Sequence, residues 1–99
     1  MISRQWRGLA KASYADAYVE HLRKETFPGL ATIPGFVSAS ILRRDLANGV
    51  EFLIVTNWMS IDAIRAFAGY DAESAVVPSE VQGMMVEYDK RARHYQVVH

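Results

Sequence analysis

The chain has no cysteine among its 99 residues. That excludes disulfides, thiolate zinc sites, iron–sulfur ligation and a cysteine nucleophile, and it fits a reducing compartment. Nor does any stretch approach the ~20 apolar residues of a membrane span. The opening MISRQWRGLAKAS is interrupted by Arg4, Arg7 and Gly8 and lacks the apolar run of a signal peptide. The expectation is a soluble, cytoplasmic protein. Charge of one sign is also lacking: 11 basic residues balance 11 acidic ones. No global field draws the chain to nucleic acid or to an anionic membrane. A K/R-G-F/Y base-stacking motif, a G-x-S-x-G serine and a glycine-rich phosphate loop are all missing. The three histidines, His21, His94 and His99, have no metal-ligand spacing to one another or to a carboxylate. No metal or cofactor site is expected.

What remains is apolar and patterned. The hydrophobic fraction is 51%, enough for a core, and the length suits one domain over residues 1–99. Glu51 to Trp58 carries Phe52, Leu53, Ile54, Val55, Thr56 and Trp58, apolar at both parities, so this strand needs cover on both faces. Ser60 sits where a helix N-cap belongs, with Asp62 in the first turn. Ile61, Ile64, Phe67 and Ala68 follow at helical spacing, and Gly69 can end the helix in the left-handed conformation.

Ile2 to Ala10 reads as a first strand, with Ile2, Arg4, Trp6 and Gly8 on one parity. Ser13 can cap a helix whose face carries Tyr14, Ala17, Tyr18, His21, Leu22 and Glu25, and Pro28–Gly29 should break it. Phe36 to Arg44 reads as a second strand, followed by a loop from Asp45 through Asn48–Gly49. Ser79 caps a further helix running through Val81, Met84, Met85 and Tyr88, and Ala92 to Val98 is the last strand. The order β-α-β-β-α-(α)-β predicts an α+β fold, a ferredoxin-like four-stranded antiparallel sheet with helices on one face. One helical layer leaves the other face for a partner, and a second copy of the chain is the expected occupant.

The residues W-R-G at Trp6–Gly8, P-G-F at Pro34–Phe36, L-R-R at Leu42–Arg44, the run Phe52–Asp71, A-V-V-P at Ala75–Pro78 and H-Y-x-V-V at His94–Val98 resemble the antibiotic biosynthesis monooxygenase (ABM)-like family. The resemblance covers nearly the whole chain, and its strand–Trp–x–Ser–helix junction is the most specific part. It implies a homodimeric α/β barrel in which two sheets face each other, with a pocket in each subunit between sheet and helices. Chemistries associated with the fold include cofactor-independent oxygenation of phenolic compounds, quinol oxidation and haem degradation. Haem-degrading members use a His after the second helix, a Trp on that helix and an Asn in the first strand. Here Phe67 stands near the place of that Trp, no His occurs between His21 and His94, and no Asn precedes Asn48.

Cofactor-independent oxygenation asks for less: an aromatic pocket, a donor for an oxyanion and a base. Trp6, Tyr18, Trp58 and Phe67 are candidate substrate walls. Arg4, Asn57 and Arg43 are candidate donors, and His21 and His94 candidate bases. Asn57 and Trp58 alternate along one strand, so a regular strand cannot aim both into one pocket. The expected function is a small-molecule pocket protein, a monooxygenase on an aromatic, phenolic or quinol substrate. The alternative is a non-catalytic ligand-binding or structural homodimer.

Overall fold

The computed structural model describes residues 1–99. Strand β1 (Ile2–Ala10) leads through a short 3-10 turn into a helical rod made of α1 (Ala15–His21), a π-helical turn (Leu22–Thr26) and α2 (Phe27–Leu30). The hairpin β2 (Phe36–Leu46) and β3 (Gly49–Trp58) follows, then α3 (Ile61–Ala68), α4 (Ser79–Gln82), β4 (Met85–Tyr88) and β5 (Arg93–Gln96). The antiparallel sheet runs β2-β3-β1-β4, with β5 also on β1, and it is open. This is the ferredoxin-like order. No helix is long and apolar enough to cross a membrane.

Five strands appear where four were expected because the last strand is broken. Both β4 and β5 pair with β1, β4 along Gly8–Ala10 and β5 along Ile2–Gln5. The expected helix from Ser79 to Tyr88 stops at Gln82. Val81, Met84, Met85 and Tyr88 all meet the core, Val81 and Met85 fully buried. Their spacing fits a helix, but a single turn followed by a strand buries the same four side chains, an ambiguity inherent in short apolar runs.

Other boundaries also shift. Ser13 does not cap α1; Tyr14 holds the N-cap position without a side-chain bond. Pro28 does not end the helix either. Its ring cannot accept the ordinary i−4 geometry, and the wide π turn just before it lets the rod continue to Leu30. The β2–β3 loop is two residues, Ala47–Asn48, because pairing extends to Leu46 and Gly49. Gly69 does end α3 at positive φ (90°), but with ψ −172° rather than the left-handed helical value.

The core lies between helices and sheet in two clusters. The larger holds Tyr18, Leu22, Phe52, Ile54, Val81 and Met85; the smaller is Leu30, Trp58, Ala63 and Ile64. Trp58 is wholly buried, edge-on to Phe36 at 5.2 Å and stacked with Phe67 at 6.2 Å. Ser60 Oγ accepts the Ala63 N–H at 3.1 Å, capping α3. Trp58→Ala should cost about 3–5 kcal/mol in a chemical denaturation series, as large-to-small core changes do. Ser60→Ala should cost about 1 kcal/mol.

Candidate functional site

The two clusters are separated by one polar rung of the sheet. In the β1–β3 register, Trp6 opposes Ile54, Arg4 opposes Thr56 and Ile2 opposes Trp58. On the helix side Arg4 and Thr56 therefore stand side by side, 5% and 6% exposed. Thr56 Oγ1 accepts the Trp58 indole N–H at 2.9 Å, which leaves the hydroxyl proton free to donate. Arg4 Nη1 donates to the Ala72 carbonyl and, at 2.9 Å, bonds His94 Nε2; Nη2 donates to the Ser74 carbonyl at 2.7 Å. Its Nε–H has no protein partner. No carboxylate lies within ion-pair distance of this guanidinium. Burial lowers its pKa, partly opposed by Glu73, yet a guanidinium stays charged throughout the ordinary pH range.

Over this rung the clusters leave a cavity of about 70 Å³. Arg4, Trp6, Ile54 and Thr56 form its floor, Tyr18, His21, Leu22, Thr26, Phe27 and Leu30 one wall, Phe67 another, and Val76, Pro78 and Val81 the roof. His21, Thr26, Leu30, Phe67, Val76 and Pro78 also line a wider outer recess of about 410 Å³, reached between the rod and α3. The π turn matters here. Its i→i+5 spacing brings the pairs His21–Leu22 and Thr26–Phe27 to one wall. Such turns recur at functional sites.

Trp6 lies flat along β1 because residue 8 is glycine: a Cβ on Gly8 would stand 2.6 Å from the indole. The Trp6 indole N–H donates to the Asp89 carbonyl at 2.8 Å, occupying the gap between β4 and β5. Burial pushes the Tyr18 phenol up, so it remains neutral. His21 Nδ1 is enclosed without a hydrogen-bond partner, a defect of about 1–3 kcal/mol for an ordinary buried polar group.

Of the residues singled out in the sequence, Arg4, Trp6, Tyr18, His21 and Phe67 meet around the cavity. Trp58 stands behind it, in the smaller cluster. Asn57 is on the opposite sheet face, bonded to Ser38 Oγ at 3.1 Å, so it is not part of this lining. Arg43 pairs with Asp16 at 3.0 Å, away from the cavity. His94 is not a free base: arginine cannot accept a hydrogen bond, so His94 Nε2 is the acceptor and Nδ1 carries the proton. Thr56 was missed, although its parity with Ile54 and Trp58 marks it as a lone polar group on an apolar face.

Burial, then the adjacent Arg4 charge, holds the His94 pKa below the ordinary histidine value. The unfolded chain protonates near pH ~6.5, while the folded chain resists. Between the two pKa values the unfolded state binds more protons, so stability rises with pH there. Urea midpoints should fall as pH drops from about 7 toward 5, and His94→Gln, which keeps an acceptor for Arg4, should flatten that fall.

Comparison with known proteins follows this geometry. No curated protein matches the sequence. Among solved structures, a Bacillus cereus protein described as an antibiotic biosynthesis monooxygenase is similar at TM-score 0.69 and 17% identity, over 100% of this chain and 93% of that one. A variant of MhuD with two manganese protoporphyrin IX bound per active site gives 0.62 at 17% identity, over 99% and 95%. MhuD from Mycobacterium tuberculosis, a heme-degrader with two hemes bound in its active site, gives 0.60 at 17%, over 99% and 96%. At such identity the likeness establishes the fold. The family model for antibiotic biosynthesis monooxygenase matches residues 1–77, from β1 past α3 to the first roof residue, Val76. The chain belongs to the antibiotic biosynthesis monooxygenase family.

Proposed function

We propose that the cavity binds a small phenol or quinol as its anion, and that the chain is a cofactor-independent monooxygenase acting as a homodimer. The observation that carries this reading is the Arg4 guanidinium: buried, without a carboxylate partner, its Nε–H unspent, beside a ring of aromatic side chains. A buried charge is costly until an opposite charge or well-aimed dipoles meet it. A phenolate supplies the charge, Trp6 and Phe67 supply faces for its ring, and Thr56 adds a second donor. His21 takes the phenolic proton. The electron-rich ring then reduces dioxygen itself: a ring C–H para to the phenolate oxygen becomes a carbonyl as the phenol becomes a quinone, giving up four electrons; one oxygen atom is retained, and the other leaves as water with the ring hydrogen and the proton held by His21. The protein's part is to hold the anion, exclude water and receive the proton.

A haem does not fit the residues present. α3 offers the cavity only Phe67, already stacked on Trp58, and Tyr70 beyond it is 91% exposed.

The homodimer rests on the sheet's other face. Leu42 is half exposed there, Leu53 and Val55 partly so. At one end Glu51 bridges Arg44 and Arg7 at 2.6 Å each, with its carboxyl held below the usual range by those two bonds. An apolar centre with a charged rim is the anatomy of a protein interface. Light scattering should give twice the 11.1 kDa chain mass, with an interface above about 1,000 Å² in total. A monomer at micromolar concentration overturns this.

4-Nitrophenol tests the pocket, because its anion is coloured. Binding should raise the nitrophenolate fraction at a pH below the free phenol's own pKa. Arg4→Ala should weaken binding by about tenfold or more, the worth of a charge-assisted hydrogen bond of about 1.5–3 kcal/mol. Trp6→Ala should weaken it too, with the dimer intact. If Trp6→Ala dissociates the dimer while affinity per folded subunit is unchanged, Trp6 belongs to the interface. A second reading, a non-catalytic ligand-binding dimer, draws support from the three contacts that already occupy Arg4 Nη1 and Nη2. Oxygen uptake with a bound hydroquinone separates the two readings.

A further inference from the structure

One polar atom of the cavity wall, Nδ1 of His21, is left unexplained by the anion site. His21 ends α1, with its side chain 9% exposed. Its Nδ1 is enclosed and unpartnered, whereas Nε2, also without a protein partner, keeps accessible surface. The Glu80 carboxylate stands 3.7 Å from Nδ1, in the first turn of α4. That is too long for a hydrogen bond. The Glu80 side chain is 68% exposed, however, and free to rotate the remaining distance.

We infer that Glu80 and His21 form a carboxylate–imidazole pair in which Glu80 is a positioning residue and His21 Nε2 is the atom that receives the substrate proton. The argument is one of hydrogen-bond supply. A neutral imidazole has one N–H and one lone pair, and the partner of one nitrogen decides the state of the other. An enclosed Nδ1 beside a carboxylate is satisfied as a donor to it. The lone pair is then fixed on Nε2, the nitrogen that is not enclosed, on a side chain lining both the cavity and its outer recess. When Nε2 takes a proton, the imidazolium that forms sits beside an anion. The same carboxylate thus orients the base and stabilises its charged form, the role a carboxylate plays behind the histidine of a hydrolase triad. The proton leaves the phenol oxygen and ends on Nε2, and no electron changes hands in this step.

The role rests on the anion-binding reading, but its test does not. The tautomers of the three histidines are read from long-range ¹⁵N–¹H correlations of labelled protein at a pH where all three are neutral, with His94→Gln and His99→Gln supplying assignments. His94 is an internal standard, because its Nε2 is held as acceptor by Arg4. The exposed His99 reports an unassisted ring. His21 should show the Nδ1–H pattern of His94 in the parent. Glu80→Ala should lose it, moving His21 alone to the pattern of His99, and Glu80→Gln, which retains an acceptor, should restore it. A His21 that matches His99 in the parent, or that keeps its pattern in Glu80→Ala, overturns the pair. Failure of 4-nitrophenol to bind the parent, with the tautomer result intact, overturns the anion site instead.

Discussion

The polar rung formed by Arg4 and Thr56 is the constraint around which the rest of the molecule is arranged. Every other helix-side position along β1 and β3 is apolar or glycine, from Ile2 and Trp58 at one end to Ala10 and Val50 at the other. A charge in that row cannot be packed over by aliphatic side chains without the cost of desolvation. The core therefore divides on either side of it, and the space between becomes the cavity. The carbonyls of Ala72 and Ser74 answer the guanidinium, which holds the connection leading to Val76 and Pro78 over the cavity. Phe67 lies 5.7 Å from the guanidinium centre, in reach of a cation–π attraction. One buried charge thus sets floor, roof and one wall together.

Much of this was legible in the amino-acid order. The run from Phe52 to Trp58, apolar at both parities, marked a central strand, and Ser60 with Asp62 marked the start of α3. The alternation Ile2, Arg4, Trp6, Gly8 put a cation, a large ring and a vacant position on one face, and Tyr18 and His21 at helical spacing could meet them. These features depend on local periodicity, which a sequence displays directly. What escaped depends on partners distant in the chain. Met85 to Tyr88 is a strand because Gly8–Ala10 offers it an unpaired edge. The rod passes Pro28 because a widened turn removes the clash that proline usually makes. Trp58, which looks from its sequence like a pocket wall, is wrapped by Phe36 and Phe67 instead. The state of His94 is set by Arg4, ninety positions away.

The gap between β4 and β5 has a mechanical consequence. Around it, Arg91 clasps Asp71 in a two-pronged ion pair, Ser74 bridges Arg91, Ala75 N–H bonds the Lys90 carbonyl and Ala92 N–H bonds the Glu73 carbonyl. The connection over the cavity and the chain entering β5 are thereby laced into one flap. It joins the remainder of the sheet along a short seam, four residue pairs between β5 and the start of β1, while β4 stays zipped to the other end of β1. The same flap is fastened to β1 a second time, by the Arg4 side chain that bonds Ala72, Ser74 and His94. The ceiling over the guanidinium and the last strand are thus one mechanical piece, pinned at its centre by the charge it covers.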